Sequence, residues 1–486
     1  MKLEQIIKGL EPVAVNGSRD KDIAGITCDS RQVRDNYLFV AITGNKQEGN
    51  IFIDDAINRG AIAIITEHDL RLRKEVCSIR VKDTRQSIAR VAATFHGNPA
   101  SKLKVVGITG TNGKTTISFM VRDILRAAGL TPGLIGTIEY EIGERVIPAT
   151  RTTPDAPALQ SMLAEMAGSG CRSAVMEVSS HSLVQHRVAD IDFDLGVFTN
   201  LTQDHLDYHK SMENYFDAKS ILFQSLGSRQ KKATAIINIE DAYAKRMAAL
   251  VAGRAALLYY GFDPDAHVRA ENLSVGAGGS AFRAVTPFGS ADFNIKLAGR
   301  YNVSNALAAI AVAGSLGVSL ELMRDALSKI AFVPGRLEEV PTGRGFKVFV
   351  DYAHTDDAIS KVLSAMREIT AGRLIMVFGC GGNRDKAKRP KMGAVASELA
   401  DHIILTSDNP RNEEPLAIIR QIEAGCVRKN YEVVENRENA IKLVIQQACE
   451  GDIIIIAGKG HENFQEYDST SIPFDDRSVV RRLLKQ

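Results

Sequence analysis

The sequence predicts an α/β protein of three domains, with a phosphate-loop ATPase-type domain at its centre and a Rossmann-like domain with a mainly parallel sheet at its C-terminal end. Three observations carry that prediction. At 486 residues, 45% of them hydrophobic, the chain has the length of about three ordinary domains and enough apolar side chain to fill their cores. An apolar run, LKVVGI at 103–108, enters a glycine-rich loop and then an amphipathic helix pattern over 115–128. From residue 334 onward, apolar runs at 347–350, 374–378, 403–405, 431–434 and 453–457 alternate with helical stretches, the rhythm of strand–helix–strand units.

The N-terminal stretch MKLEQIIKGLEPV mixes charges into its apolar residues and lacks the unbroken apolar core of a secretion signal. The first domain, 1–100, carries strand-like runs at 37–42 and 61–66 with a helical stretch at 53–58 between them. The central domain, 101–333, adds strands at 103–108, 173–178, 195–199 and 235–238 and ends near VPGR at 333–336. In the third domain, 334–486, the most hydrophobic run is IIII at 453–456, far too short to span a bilayer. The 60 Lys and Arg against 58 Asp and Glu leave +2, no field for non-specific nucleic-acid binding, so an anionic ligand must be held by local groups. Six cysteines lie far apart without a CxxC pair, which fits a reducing cytoplasm and argues against a zinc or redox site.

Chemistry concentrates in the polar segments where strands end. In GITGTNGKTT, 107–116, Gly110 and Gly113 allow a tight turn whose N–H groups, with those of Thr111 and Asn112, can face a phosphate chain. Lys114 adds a point charge, Thr115 a hydroxyl for magnesium, and Thr116 opens a helix whose N-terminus favours anions. The strict pattern asks for glycine at 108, where this chain has isoleucine with Gly107 one place early, so the loop is a variant. The competing reading is a glycine-rich turn with an exposed lysine. MEVSSH at 176–181 buries Glu177 among apolar strand residues, where a carboxylate needs a partner such as phosphate-bound magnesium. TNLTQDHLDYH at 199–209 contains His205, and YFDAKSILF at 215–223 contains Lys219. Alone, these read as surface histidines and a snorkelling lysine; beside a phosphate loop they read as one acid and metal cluster.

Eight motifs occur in a single order: TGTNGKTT, MEVSSHSL, TNLTQDHLDYH, YFDAKSILF, GRYNVSNALAA, DYAHT, DNPR and AGKGHE. Together they resemble the ATP-dependent Mur ligases of peptidoglycan synthesis, and among these the members that add meso-diaminopimelate to UDP-N-acetylmuramoyl-L-alanyl-D-glutamate. The resemblance implies that 1–100 holds the UDP part of the substrate, 101–333 binds ATP, and 334–486 receives the amino acid. It implies that ATP phosphorylates a substrate carboxylate to an acyl phosphate, which the incoming amine attacks with release of phosphate.

By the same match, Lys114 holds the β/γ-phosphates, Thr115 and Glu177 bind Mg2+, and His205 and a carbamylated Lys219 serve a second Mg2+. Asn302, Asn305, Arg336 and Asp351 complete the ATP contacts. Ser30, Thr152, Thr153, Ser179, Gln185 and Arg187 contact the UDP-muramoyl dipeptide. Arg384, Asp408, Asn409, Pro410, Arg411, Gly458 and Glu462 form the amino-acid pocket.

Diaminopimelate resembles lysine with an added distal carboxylate, and Arg411 supplies the planar bidentate cation that such a group needs. The competing reading pairs Arg411 with Glu413 or Glu414 on the surface. GNKQEGN at 44–50 and Arg151 depart from the family's pattern at the UDP-substrate side. A lysine-adding Mur ligase, a folylpolyglutamate synthase-like ligase and a phosphate-loop switch or motor stand as alternatives. A cytoplasmic monomer without nucleic-acid partners or a membrane span is the expectation.

Overall fold

A computed structural model describes residues 1–43, 49–70, 72–276, 278–468 and 470–485. Among these, the strands form three large sheets and one small hairpin. The departure read at 44–50 falls mostly on 44–48, outside the described residues.

The first sheet runs in the order Ala14–Asn16, Cys77–Arg80, Ala61–Thr66, Tyr37–Val40, Gly25–Thr27 and is parallel except at its Ala14–Asn16 edge. The central sheet has eleven strands. Its middle is parallel, in the order Val268–Gly276, Ala256–Gly261, Thr234–Asn238, Leu195–Phe198, Lys104–Thr109, Ser173–Glu177, Pro132–Ile135. Antiparallel strands extend it at both ends: Gly279–Thr286 and Gly289–Ile295 on one side, Glu139–Ile142 and Arg145–Pro148 on the other. Apolar cores cover both faces, one built on the helices Lys114–Ala127 and Arg300–Ser315, the other on Ala156–Gly168 and Met212–Ser225. Burial on both faces explains why the middle strands read as near-continuous apolar runs.

The third sheet runs Glu338–Val340, Lys347–Asp351, Ile453–Ala457, Leu374–Phe378, His402–Leu405, Tyr431–Val433, and is parallel except for its first strand. Cores again lie on both faces. A fully buried ion pair, Arg437 on Asp476, fixes one end of this sheet. The guanidinium donates to both Asp476 oxygens at 2.8 Å and to the Ala457 carbonyl at 2.9 Å, anchoring the strand end that leads into Gly458 and Lys459.

Parallel order aligns the carboxyl ends of the strands, where α/β ligand sites form. In the central sheet the phosphate-loop strand lies between the strands ending at Glu177 and Phe198, with Glu177 opposite Ile108 and Phe198 opposite Thr109. Three polar segments remote in sequence therefore emerge side by side. No helix among the described residues is long and apolar enough to cross a membrane.

Candidate active site

The phosphate loop follows from packing. Gly107 belongs to the strand, where a Cβ would strike the Phe193 ring, so it is a packing glycine outside the loop. Ile108, where the strict pattern has glycine, is core. The turn begins at Gly110, whose φ of +144° and closeness to Thr199 Oγ1 exclude a side chain. Helix Lys114–Ala127 starts behind Gly113 without a side-chain cap, which leaves its first N–H groups free for an anion.

Lys114 Nζ donates to the Gly110 and Thr111 carbonyls at 2.8 and 2.9 Å, folded back over the loop. Burial lowers its pKa, opposed by Glu177. Thr115 Oγ1 donates to Glu177 Oε2 at 2.9 Å and accepts from an Arg336 guanidinium nitrogen at 2.9 Å. Glu177 is fully buried and takes two further bonds from Thr137, the backbone N–H to Oε1 at 2.8 Å and the hydroxyl to Oε2 at 3.0 Å. A carboxylate beside two hydroxyls at a phosphate loop fits Mg2+, which takes one or two carboxylates and completes its octahedron with phosphate and water. No group of three or more His, Cys, Asp or Glu among the described residues could cage a metal unaided.

Lys219, 1% exposed, donates from Nζ to the Gly110 carbonyl at 2.9 Å and lies 4.5 Å from the Tyr215 ring centre. Burial, then the charge of Lys114, holds its pKa well below the lysine range. The snorkelling reading is thus corrected: the amine lies inside, beneath the phosphate loop. His205 takes a left-handed backbone, φ +54°, ahead of the helix Leu206–His209, and desolvation pushes its imidazole down to about 3 against the pull of Asp204.

Asp204 is a residue that sequence reasoning missed. It is buried, and its carboxylate lies 3.4 Å from His205 Nε2, 3.7 Å from His354 Nε2 and 3.8 Å from Lys388 Nζ. Those partners, after the opposing cost of burial, hold it well below the carboxylate range. Nothing in TQDHLD separates Asp204 from Asp207; only the fold does.

A cavity of about 230 Å³ opens over the loop, lined by residues 111–116, Thr137, Thr152, Glu177, Asp204, His205, Asn302, Asn305, Arg336, Asp351 and His354. All four ATP contacts outside the loop implied by the resemblance therefore reach one space. Asp351, with its pKa raised by burial, accepts the N–H groups of Leu337 and Ala353 at 2.7 Å each, so it also shapes the turn carrying Arg336. A third cavity, about 500 Å³, continues past Asn112 and Asn305 between Tyr260, Phe262 and Lys361.

Of the residues matched to the UDP-linked substrate, Thr153, Ser179, Gln185 and Arg187 form one connected group. Arg187 donates twice to Gln185 Oε1, at 3.1 and 2.6 Å, and to the Thr153 carbonyl at 2.8 Å; Thr153 Oγ1 donates to the Glu177 carbonyl and accepts from the Ser179 N–H. Thr152 joins through Thr137. Ser30 is buried in the short helix Ser30–Gln32, and no hydrogen bond among the described residues links it to that group. Arg151 is exposed, its backbone held by the Tyr140 hydroxyl.

A second cavity, also about 230 Å³, is lined by Arg384, Asp408, Asn409, Arg411, Gly458 and Glu462, and shares Asp204, His205, Tyr352 and His354 with the first. Pro410 is not in its wall. The surface pairing considered for Arg411 does not form. Arg389 takes Glu413 at 2.9 and 3.0 Å, and Glu414 caps the helix Pro415–Glu423. Arg411 instead pairs with Glu466 at 2.6 Å and donates to the Gly382 carbonyl at 2.9 Å. Asn409 and the buried Lys459 both donate to Glu462 Oε2, at 2.8 and 2.9 Å, which leaves Oε1 for a ligand.

Family models match in three consecutive stretches: the Mur ligase family catalytic domain at 22–97, the Mur ligase middle domain at 108–313, and the Mur ligase glutamate ligase domain at 335–460. The chain is 45% identical to the UDP-N-acetylmuramoyl-L-alanyl-D-glutamate–2,6-diaminopimelate ligase of Caldanaerobacter subterraneus subsp. tengcongensis, covering 100% of this chain and 99% of the relative. It is 43% identical to the Geobacter sulfurreducens enzyme of that name, over 98% and 97%. A solved structure of a ligase with that name superposes with a TM-score of 0.71 at 33% identity, over 100% and 99%. A Mycobacterium tuberculosis folylpolyglutamate synthase shares the fold at 18% identity, with a TM-score of 0.65, over 82% and 95%. Matched in all three of its parts, the chain belongs to the Mur ligase family.

Proposed function

We propose that this ligase joins meso-diaminopimelate to UDP-N-acetylmuramoyl-L-alanyl-D-glutamate at the expense of ATP, in the cytoplasm and as a monomer. One observation carries the reading: the cavity over the phosphate loop and the cavity between Arg384, Arg411 and Glu462 share a wall, so an activated carboxyl made in one is within reach of an amine held in the other. The relatives' names support the substrates. Residues 1–100 would hold the UDP end, 101–333 ATP and 334–486 the amino acid.

The chemistry follows from what each group offers. Condensing a carboxylate with an amine in water is uphill, and the carboxylate oxygen leaves poorly. A carboxylate oxygen of the dipeptide attacks the γ-phosphorus, the bond to ADP breaks, and an acyl phosphate forms. The amine nitrogen then attacks the acyl carbon, the bond to phosphate oxygen breaks, and the nitrogen loses a proton. Lys114 and the N–H groups of residues 110–116 would position and neutralise the phosphates, with Asn302, Asn305, Arg336 and Asp351 around the nucleotide. Thr115 and Glu177, and His205 with Lys219, would hold Mg2+, which supplies charge neutralisation on the transferring group. A depressed lysine pKa keeps the amine free to take up carbon dioxide, and the resulting carbamate would provide an oxygen ligand.

In the second cavity, Arg411 and Arg384 face the distal carboxylate, while Glu462 Oε1 accepts the distal ammonium. A lysine substrate would offer neither arginine a distal carboxylate.

The test is phosphate release with ATP and magnesium across a panel of amino acids. Turnover that requires both the UDP-linked dipeptide and diaminopimelate supports the reading. Equal turnover with lysine would move the protein to the lysine-adding branch, and turnover without either substrate would make it a nucleotide switch.

A further inference from the structure

Asp357 lies in the first turn of the helix Asp356–Arg367, on the C-terminal side of the first cavity. Its Oδ2 accepts three hydrogen bonds: from Asn112 Nδ2 at 2.8 Å, Thr202 Oγ1 at 3.2 Å and Lys361 Nζ at 2.8 Å. Two of the donors come from loops that follow strands of the central sheet. Asn112 is in the phosphate loop itself, and Thr202 stands in the segment that leads to Asp204 and His205.

The backbone polar groups of Asn112 are already committed. Its N–H donates to Asn200 Oδ1 at 2.9 Å, and its carbonyl accepts from Thr199 Oγ1 at 2.6 Å and Asn200 Nδ2 at 3.2 Å. The side-chain amide is thus the means by which this point of the loop senses anything outside the central sheet. What it senses is a carboxylate on the other domain. Lys361, bound to the same oxygen, lines both the first and the third cavities.

We propose that Asp357 is a positioning residue that makes the order of the phosphate loop depend on the docked position of the C-terminal domain, so that nucleotide and amino acid strengthen each other's binding. The inference rests on the ligase reading of the two cavities. An amino acid bridging Arg411 and Glu462 to the shared wall holds the C-terminal domain in place, which keeps Asp357 against Asn112. The loop is then ordered before the nucleotide arrives, and the nucleotide no longer bears that cost. By linkage, nucleotide must raise amino-acid affinity by the same factor.

The experiment is calorimetric titration of the full chain with a non-hydrolysable ATP analogue and magnesium, with the UDP-linked dipeptide present, with and without saturating diaminopimelate. Diaminopimelate should tighten analogue binding to the parent. Asp357→Ala should bind the analogue about tenfold more weakly, as loss of a charged hydrogen bond implies, and should lose the enhancement. Asp357→Asn keeps an acceptor oxygen for Asn112 and Thr202 and should retain most of it. Should Asp357→Ala fail to fold, Asn112→Ser cuts the same bond from the loop side and should abolish the enhancement. The double variant Asn112→Ser/Asp357→Ala should be no worse than the weaker single one. A parent without enhancement, an Asp357→Ala protein that keeps it, or additive losses in the double variant would each overturn the coupling. These results separate from failure of the ligase reading, which would appear as a parent that makes no ligated product.

Discussion

Two cationic side chains decide most at the residue scale: Lys219, buried on a carbonyl, and Arg411, which lines the amino-acid cavity. Lys219 is buried with a carbonyl as its hydrogen-bond partner, and its pKa is held down by burial and by Lys114. Structure alone gives no reason to keep an amine there, since a methionine would pack with less desolvation cost. If the amine is the precursor of an anionic ligand, Lys219→Ala should lose activity at saturating substrates and recover part of it with millimolar acetate or formate. An inactive variant that small carboxylates do not revive would remove the carbamate from the account. Arg411 is the second case. Its Nε is paired with Glu466, yet it still lines the amino-acid cavity. Arg411→Ala should raise the KM for diaminopimelate by about 10- to 100-fold, the worth of a charge-assisted bidentate contact, while the KM for ATP stays near the parent value. Arg411→Lys should not restore it, since a point charge cannot match a carboxylate fork. Equal changes in both KM values would place Arg411 outside specificity.

At the scale of the element, the loop between Thr109 and Lys114 is set by the strand beside it. Gly110→Ala brings a methyl group onto Thr199 Oγ1 at a φ that L-residues avoid, and Thr199 is itself bonded to the Asn112 carbonyl. The substitution should cost about 1–3 kcal/mol of stability and weaken ATP binding more than diaminopimelate binding, read by thermal melts and steady-state KM values. A variant with parental ATP affinity would show that the loop accommodates a side chain. This loop was legible in the sequence because strand, glycines, lysine and helix follow one another without interruption. So were the parallel strands of the third sheet, whose burial on both faces writes itself as runs such as LIMVF and IIIIA. The edge strands Val268–Gly276, Gly279–Thr286 and Gly289–Ile295 were not. They mix polar and apolar residues with one face partly exposed, and a bulge between Glu271 and Ser274 breaks the alternation that would reveal them. Asp204 and Asp357 were missed for a different reason. Each acquires its role from a residue brought in by another element (His354, Asn112), and no local pattern records such a meeting.

For the whole molecule, the region where the C-terminal domain meets the rest is sensitive to acid through His461. Its ring packs 5.2 Å from that of Tyr352, and Nδ1 is buried without a hydrogen-bond partner among the described residues. Burial, with Arg336 and Arg477 nearby, pushes its pKa down to about 3, and a weaker backbone contact with Thr137 across the interface opposes them. In the unfolded chain the same imidazole takes up its proton near the ordinary value of about 6.5. The folded state therefore binds fewer protons between those two values. Stability from this group is complete above about pH 6.5 and drains away as pH falls toward 3, at up to about 1.4 kcal/mol per pH unit. His461→Gln removes the titrating group, so its unfolding free energy should fall less steeply by that amount when urea denaturation at pH 7 is compared with pH 5. The variant should be weaker than the parent at pH 7, because it loses the packing on Tyr352, and should close the gap at pH 5. Parallel pH dependences in the two proteins would show that His461 is already free to protonate in the folded state. The acid sensitivity of the interface would then have to come from elsewhere. Protonation at this point also places a third positive charge beside Arg336 and Arg477, so the contact that fails first in acid should be the one that carries Arg336 to Thr115. Loss of ATP affinity should accordingly precede loss of secondary structure on acidification, measured on the same samples by nucleotide titration and circular dichroism.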